Sequence, residues 1–387
     1  MKIVWISHGS RLSGAELCLL EAVEGLARQR VDVHVIVPSD GPLIERLEAL
    51  GISVSIIPAN WWMSFKGLRS PLRRAWRLAR NIIACKSATR LLKEVRPDVV
   101  VTNTLTVPYG AVAARFVGTS HVWYVHEFGE EDHGLLFDLG EHLTLALVNR
   151  LSEKIIVNST ATLNKFRRYF SPDKLSLVYY GVPVPVQGNN ENQPGSPLEL
   201  ILIGYISPAK GQDEAVRALA SLREKQLSLR LTLIGAEWED YGSYLRALAS
   251  ELQVSDSIRF VPFTTDRLRF MQEADLALIC SRAEAFGRVT IEAMKLGKPV
   301  VGANTGATLE LIKDGWNGLL YRHGDPKDLA KKIEYLYDNR SLVAEMGRNA
   351  QSWATQEFSS ERYTAGLLDV LTDAATQHGK TVARTTC

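Results

Sequence analysis

The stretch Val182–Pro197, VPVPVQGNNENQPGSP, decides how the chain is divided. Its prolines, glycines and amides cannot sustain a helix or a central strand, so it reads as a linker between two folded parts. On both sides short apolar runs alternate with longer amphipathic segments, the pattern of parallel sheets wrapped by helices. Before the linker stand KIVWIS, VDVHVIVP, SVSIIP, DVVVTN, HVWYVH, KIIVNS and LSLVYY; after it come LELILIGYI, LRLTLIG, IRFVPF, LALICS, KPVVGAN and GLLYR. Several are rich in Val and Ile with little alternation, as expected of strands covered on both faces. The expected α/β domains are 1–182 and 198–358, joined by a linker over 183–197. A helix over 359–376 is expected to return toward the first domain, followed by a polar tail over 377–387. Two such domains make a cleft, and ligands in open parallel sheets bind at the carboxyl ends of the strands.

A length of 387 residues is too great for one ordinary core. Hydrophobic and charged fractions of 46% and 23% are those of a soluble globular protein. The formal charge of +2 gives no bulk attraction for a polyanion, and no nucleic-acid partner is expected. Cys18, Cys85, Cys280 and Cys387 are scattered, with no CxxC pair, which argues for a reducing compartment. The opening MKIVWISHG is too short an apolar run for a signal-peptide core, and no stretch approaches the ~20 apolar residues of a spanning helix. The expected location is cytoplasmic, with a membrane-surface contact on its inner face.

That contact is read from Lys66 to Arg96, which holds ten Lys or Arg against the single acid Glu94. Ser70-Pro71 starts a helix. On a 3.6-residue period Leu72, Ala75, Trp76, Ala79 and Ile83 share one face, with Arg73, Arg74, Arg77 and Arg80 opposite. Such a helix, with Trp61, Trp62 and Phe65 ahead of it, fits an anionic membrane surface. It equally fits a helix packed on the sheet with its arginines in water. HEFGEEDHGLLFDLGEH, from His126, has three histidines and six acids and reads as a solvated acidic loop rather than a metal cluster.

Two stretches in the second half carry chemistry. In GYISPAKGQDEAV a turn shaped by Pro208 and Gly211 puts Lys210 just ahead of a helix, where free N–H groups point the same way and favour phosphate. The spacing is not that of a P-loop. In SRAEAFGRVTIEAMKLGKPVV, Glu284, Ala285, Phe286 and Gly287 form the loop between a buried strand and a helix. Gly287 allows close backbone approach, and the amides of Arg288 and Val289 open the helix as an anion site. Glu284 stands before that terminus and Glu292 a little over one turn in, so the carboxylates flank a phosphate-sized cradle. Ionised carboxylates only accept hydrogen bonds, which suits sugar hydroxyls.

EAFGRVTIEAMKLGKPVV followed by NTGATLELIKDGWNGLLY resembles the donor-site signature of retaining glycosyltransferase family 4, which has the GT-B fold of two Rossmann-like doubly wound domains facing across a cleft. The turn Ser13-Gly14-Ala15-Glu16, the linker and Lys210-Gly211 extend the likeness over most of the chain. The resemblance implies a nucleoside-diphosphate-sugar donor (UDP, GDP or ADP), a glycan or lipid-linked acceptor, and a role in polysaccharide or glycoconjugate synthesis. It implies no cofactor and no metal, since the diphosphate is met by helix ends and basic groups. By position, Glu284 contacts the transferred sugar and Glu292 the ribose, while the amides at Phe286 and Gly287 approach sugar and diphosphate. Lys210 offsets diphosphate charge, Gly14 admits backbone amides from the other domain, and His126 lies by the sugar. Tyr205 stands where many members have an arginine that shares the diphosphate with the lysine, so either Lys210 acts with helix N-termini alone or Arg288 or another cation supplies that charge. Nucleotide-sugar 2-epimerases share the architecture, and a non-catalytic homologue would keep the fold as well.

Overall fold

The computed structural model describes residues 1–65, 70–184 and 196–385. Most of the expected linker, Lys66 and Arg69 of the basic stretch, and the last two residues of the expected tail lie outside these. The chain forms two compact units, one of Met1–Gly181 with Ser360–Cys387 and one of Val182–Ser359.

The first unit contains β1 (Lys2–Ile6), β2 (Asp32–Val37), β3 (Ser53–Ile56), β4 (Met63–Phe65), β5 (Val99–Asn103), β6 (Ser120–Val125), β7 (Leu135–Phe137), β8 (Lys154–Val157) and β9 (Leu175–Leu177). Seven of them make a parallel sheet in the order β3-β2-β1-β5-β6-β8-β9, while β4 and β7 pair antiparallel. The Val- and Ile-rich runs become fully buried strands, with Val99, Val100 and Val101 lying between Trp5 and Trp123 in neighbouring strands. Helix Ser360–Thr385 packs on this sheet: Tyr363, Leu367, Leu371 and Ala374 are buried, Ser120 Oγ donates to Ala374 O at 2.9 Å, and Lys154 pairs with Asp373 at 2.7 Å.

The second unit contains β10 (Leu198–Ile203), β11 (Leu229–Ile234), β12 (Ile258–Val261), β13 (Leu276–Ile279), β14 (Val300–Ala303) and β15 (Gly318–Tyr321), parallel in the order β12-β11-β10-β13-β14-β15. In each sheet the strand order reverses once, between β1 and β5 and between β10 and β13. Loops leaving the carboxyl ends on the two sides of such a reversal diverge and leave a crevice.

The basic helix runs Pro71–Val95. It packs through Asn81, Ala84, Cys85, Ala88 and Leu92, one face at spacings of three and four. The residues grouped by period as an apolar face are exposed instead: Leu72 by 83%, Trp76 by 57% and Ile83 by 60%. Arg77 turns inward, with Nε and Nη2 donating to Asp138 at 2.9 and 2.6 Å, and Arg74 lies 3.9 Å from the same carboxylate. Small residues in the C-terminal half seat the helix more closely than the bulky ones of the N-terminal half could.

The acidic stretch from His126 is solvated only in part: Glu130, Glu131 and Glu141 are exposed, while the other acids are engaged. Glu127 is buried, Asp132 accepts from the amides of Phe128 and Gly129, Asp138 holds the two arginines, and Glu131 pairs with Lys165.

Candidate functional site

The crevice of the second unit opens at the reversal between β10 and β13. After β10 the chain passes Gly204 and Tyr205 and turns through Pro208–Lys210 into helix Gln212–Glu224. After β13 it forms the loop that carries Glu284 and enters helix Arg288–Lys295, capped by Gly287 at φ +92°. The two turns are tied by Arg282 N donating to Ala209 O at 3.0 Å. Lys210 Nζ reaches Glu284 Oε2 at 2.9 Å, with both side chains partly exposed.

Between them lies a cavity of about 120 Å³, lined among others by Gly204, Lys210, Ser281, Glu284, Gly287 and Thr290. Arg288 and Val289 line it as well. Thr290 sits in the first turn of the helix, its Oγ1 buried with no hydrogen-bond partner among the described residues. A buried hydroxyl left unpaired costs free energy unless a ligand or water meets it. The cavity therefore offers one ammonium group, the start of a helix and an unmet hydroxyl, a donor set suited to phosphate oxygens.

The loop holding Glu284 is set by a close approach from the other side. Gly306, at φ +50°, lies against the Glu284 backbone, and Ala307 N donates to Glu284 O at 2.8 Å. Thr305 Oγ1 adds a bond to Ser281 O at 2.8 Å. Phe286 points away from the cavity and packs edge-on against Phe358.

Two further expected residues lie outside the cavity lining, Tyr205 and Glu292. Tyr205 is half exposed and packs edge-on against Trp238, with ring centres 5.9 Å apart. Glu292 is buried, and its oxygens accept from Arg267 Nε and Nη2 and from Arg288 Nε. Two guanidinium groups thus take three of the carboxylate's acceptor sites. Arg267 and Thr290 were not singled out in the sequence; nothing in a lone arginine 25 residues upstream signals the pairing.

Gly14 and His126 belong to the first unit. Gly14 opens helix Gly14–Arg28, and a Cβ there would meet nothing within 4 Å. His126 follows β6, on the same side of the sheet as the loops after β1 and β5. Asn103 Nδ2 donates to Ala15 O at 3.1 Å, which orients the amide and leaves Oδ1 to accept from His126 Nε2 at 2.7 Å. The proton is thereby assigned to Nε2, and Nδ1 accepts from Tyr180 OH. Enclosure, with a smaller contribution from nearby His8, lowers the His126 pKa to about 3. The neighbouring Glu127 accepts from Leu105 N at 2.6 Å and His126 N at 3.1 Å, and burial pushes its carboxyl up to about 8. Asn103 and Tyr180 reach His126 from distant segments and carry no local signature.

Known proteins resemble both halves. The family described as Glycosyl transferases group 1 matches residues 186–353, and Glycosyltransferase Family 4 matches residues 12–184. A D-inositol 3-phosphate glycosyltransferase of Salinispora arenicola is 33% identical over 186 residues, 46% of this chain and 41% of that protein. Another, of Acidothermus cellulolyticus, is 32% identical over 220 residues, 52% and 49% of the two. The chain thus spans about half the length of the curated relatives it matches. The crystal structure of Anabaena Alr3699/HepE in complex with UDP and glucose superposes with a TM-score of 0.77 at 24% identity, covering 96% of this chain and 99% of that one. That likeness extends through both units and shows the fold to be GT-B.

Proposed function

The chain belongs to the group 1, family 4 glycosyltransferases, and from this we propose that it moves a sugar from a nucleoside-diphosphate donor to an acceptor hydroxyl with retention at the anomeric carbon. The observation that carries the proposal is the cavity at the start of helix Arg288–Lys295, where Lys210, Glu284 and the unpartnered Thr290 hydroxyl meet. The UDP held by the Anabaena protein supports a UDP-sugar as donor, with GDP- and ADP-sugars as the alternatives.

In this reading the diphosphate lies over the helix start. Lys210, now paired with Glu284, exchanges that partner for phosphate oxygens and stabilises the charge growing on the leaving group. Glu284 is then left to accept from hydroxyls of the transferred sugar. The departing diphosphate takes the acceptor's proton, so no protein nucleophile is needed. His126, neutral and held at both nitrogens, orients the sugar rather than carrying a proton. Glu292 contacts the ribose. Charge is met by side chains and amides, so the step needs no metal ion.

The acceptor is a glycan or a lipid-linked acceptor, and the protein works in the cytoplasm against an anionic membrane. The exposed Leu72, Trp76 and Ile83 of helix Pro71–Val95, beside exposed Arg73 and Arg80, support that surface. Among the described residues no helix is long and apolar enough to cross a membrane.

The test is a thermal-shift panel of UDP-, GDP- and ADP-sugars, followed by incubation of the binding donor without acceptor. Slow release of nucleoside diphosphate is expected. An epimerised donor, or no donor that binds, would overturn the proposal. Glu284→Ala should abolish transfer with nucleotide binding kept, while Glu292→Ala should weaken nucleotide binding itself.

A further inference from the structure

The loop that leaves β5 carries a main-chain outlier. Thr104, buried, stands at φ +70°, a left-handed conformation that a β-branched residue keeps only when its surroundings force it. It directly follows Asn103, whose Oδ1 accepts from His126. Thr104 N donates to Tyr124 O at 2.8 Å, which carries the β5–β6 pairing one bond past Asn103. The chain then turns, and the peptide between Thr104 and Leu105 is held at both ends. Thr104 O accepts from Trp123 Nε1 at 2.7 Å, and Leu105 N donates to Glu127 Oε1 at 2.6 Å. The other oxygen of Glu127 accepts from His126 N at 3.1 Å. One buried carboxyl thus spans the ends of two neighbouring strands, and those same ends carry the Asn103–His126 pair.

We propose that Glu127 is a positioning residue, a clamp between the ends of β5 and β6 that keeps Thr104 in its left-handed turn and Asn103 against His126, so that the imidazole holds its proton on Nε2. The inference rests on the reading of His126 as the group that orients the sugar. Two features separate a clamp from ordinary core filling. The strained residue and the carboxyl that opposes its relaxation both lie at the carboxyl end of the sheet, beside the β1–β5 reversal where a crevice forms. Two amide N–H groups also need two acceptors, and a carboxyl supplies one on each oxygen whether or not it carries a proton. A glutamine would accept from one amide and turn its own N–H donors toward the other.

With either amide unmet, Thr104 is free to relax and Asn103 to leave Nε2. Tyr180 OH accepts from Asn158 Nδ2 at 2.8 Å and donates to Nδ1. Its hydroxyl is able to turn and accept from an Nδ1 proton instead, and the imidazole then loses its single tautomer.

Two-bond proton–nitrogen correlation spectra of the full chain, labelled with ¹⁵N at histidine, test this, with His126→Gln identifying the signals of that ring. At neutral pH the wild type should show a protonated Nε2 and a bare Nδ1. In Glu127→Gln the two nitrogen shifts should move toward each other, the mark of exchanging tautomers. With the donor that binds, release of nucleoside diphosphate should slow about 10–100-fold in this variant. Nucleotide affinity should stay within about 2-fold, because the groups read as holding the nucleotide lie in the second unit. Glu127→Asp keeps both oxygens but is one methylene too short to reach both amides. It should behave as Glu127→Gln does, and provides the comparison if the glutamine variant does not fold. A wild-type His126 with its proton on Nδ1 would overturn the inference, as would slower turnover with an unchanged His126 spectrum or a variant like the wild type in both. Equal losses of turnover and nucleotide affinity would also overturn it, since they mark a general disturbance. If no donor binds the wild type, the transferase reading falls, and the histidine spectra alone still decide whether Glu127 is the clamp.

Discussion

Replacing Gly306 by alanine should damage the Glu284 loop without replacing any residue read as contacting a ligand. A Cβ at Gly306 would lie 2.8 Å from Glu284 N and closer still to Glu284 O, both main-chain atoms that no rotamer change can move. The positive φ adds ~1–2 kcal/mol for a residue with a Cβ. Displacing Glu284 also weakens the bond from Ala307 N, a further ~0.5–1.5 kcal/mol. The sum of ~1.5–3.5 kcal/mol corresponds to a drop of ~3–14 °C in the melting of the second unit. A shift of the Glu284 carboxylate by about 1 Å relative to Lys210 would slow transfer by roughly 10²-fold. Gly315 is the control: it has φ +80° with nothing within 4 Å of a Cβ, so Gly315→Ala carries the conformational strain alone. Differential scanning fluorimetry and donor turnover on both variants decide the matter. If Gly306→Ala melts with Gly315→Ala and turns over donor at the wild-type rate, the close approach does not set the loop.

Lys210→Met should weaken nucleoside diphosphate binding by roughly 10–100-fold, the loss of one charge-assisted contact, and leave nucleoside binding unchanged in the same titration. Glu127 has a folded pKa raised from 4.5 to about 8, so between those values the folded chain keeps a proton that the unfolded chain gives up. Its stabilising effect is complete below 4.5 and is lost as pH rises toward 8, at no more than ~1.4 kcal/mol per unit. Urea midpoints of Glu127→Gln from pH 5 to 8 should therefore fall less than those of the wild type. Sedimentation with anionic vesicles should be lost when Trp76 and Ile83 become serine, or Arg73 and Arg80 glutamate. Reversal of Arg77 should act mainly through stability, because it breaks the tie to Asp138.

The strands and the division at Val182–Pro197 were legible because buried parallel strands need apolar runs and linkers need residues that break them. Lys210 and Glu284 could be placed because each lies in a strand-to-helix turn on one side of the β10–β13 reversal, and topology brings such turns together. Arg267 on Glu292, and Asn103 and Tyr180 on His126, were not legible. These partners meet through tertiary folding, and a polar residue far away in sequence gives no periodic signal. Helix Pro71–Val95 shows a related limit: period identifies a face, while steric fit decides which face is covered. There Ala84, Cys85 and Ala88 displaced the bulkier Leu72, Trp76 and Ile83 from the interior. The acidic stretch misled in part for the opposite reason, since Asp138 and Glu131 are taken up by arginine and lysine from elsewhere.

Helix Ser360–Thr385 closes the first unit with residues that a ribosome makes after the whole of the second. Tyr363, Leu367, Leu371 and Ala374 fill a seat beside β6 and helix Gly14–Arg28 that stays uncovered through most of synthesis. The unit whose translation begins first is thus the last to be completed. A nascent chain halted before residue 360 should present that apolar seat to chaperones even when the second unit has folded.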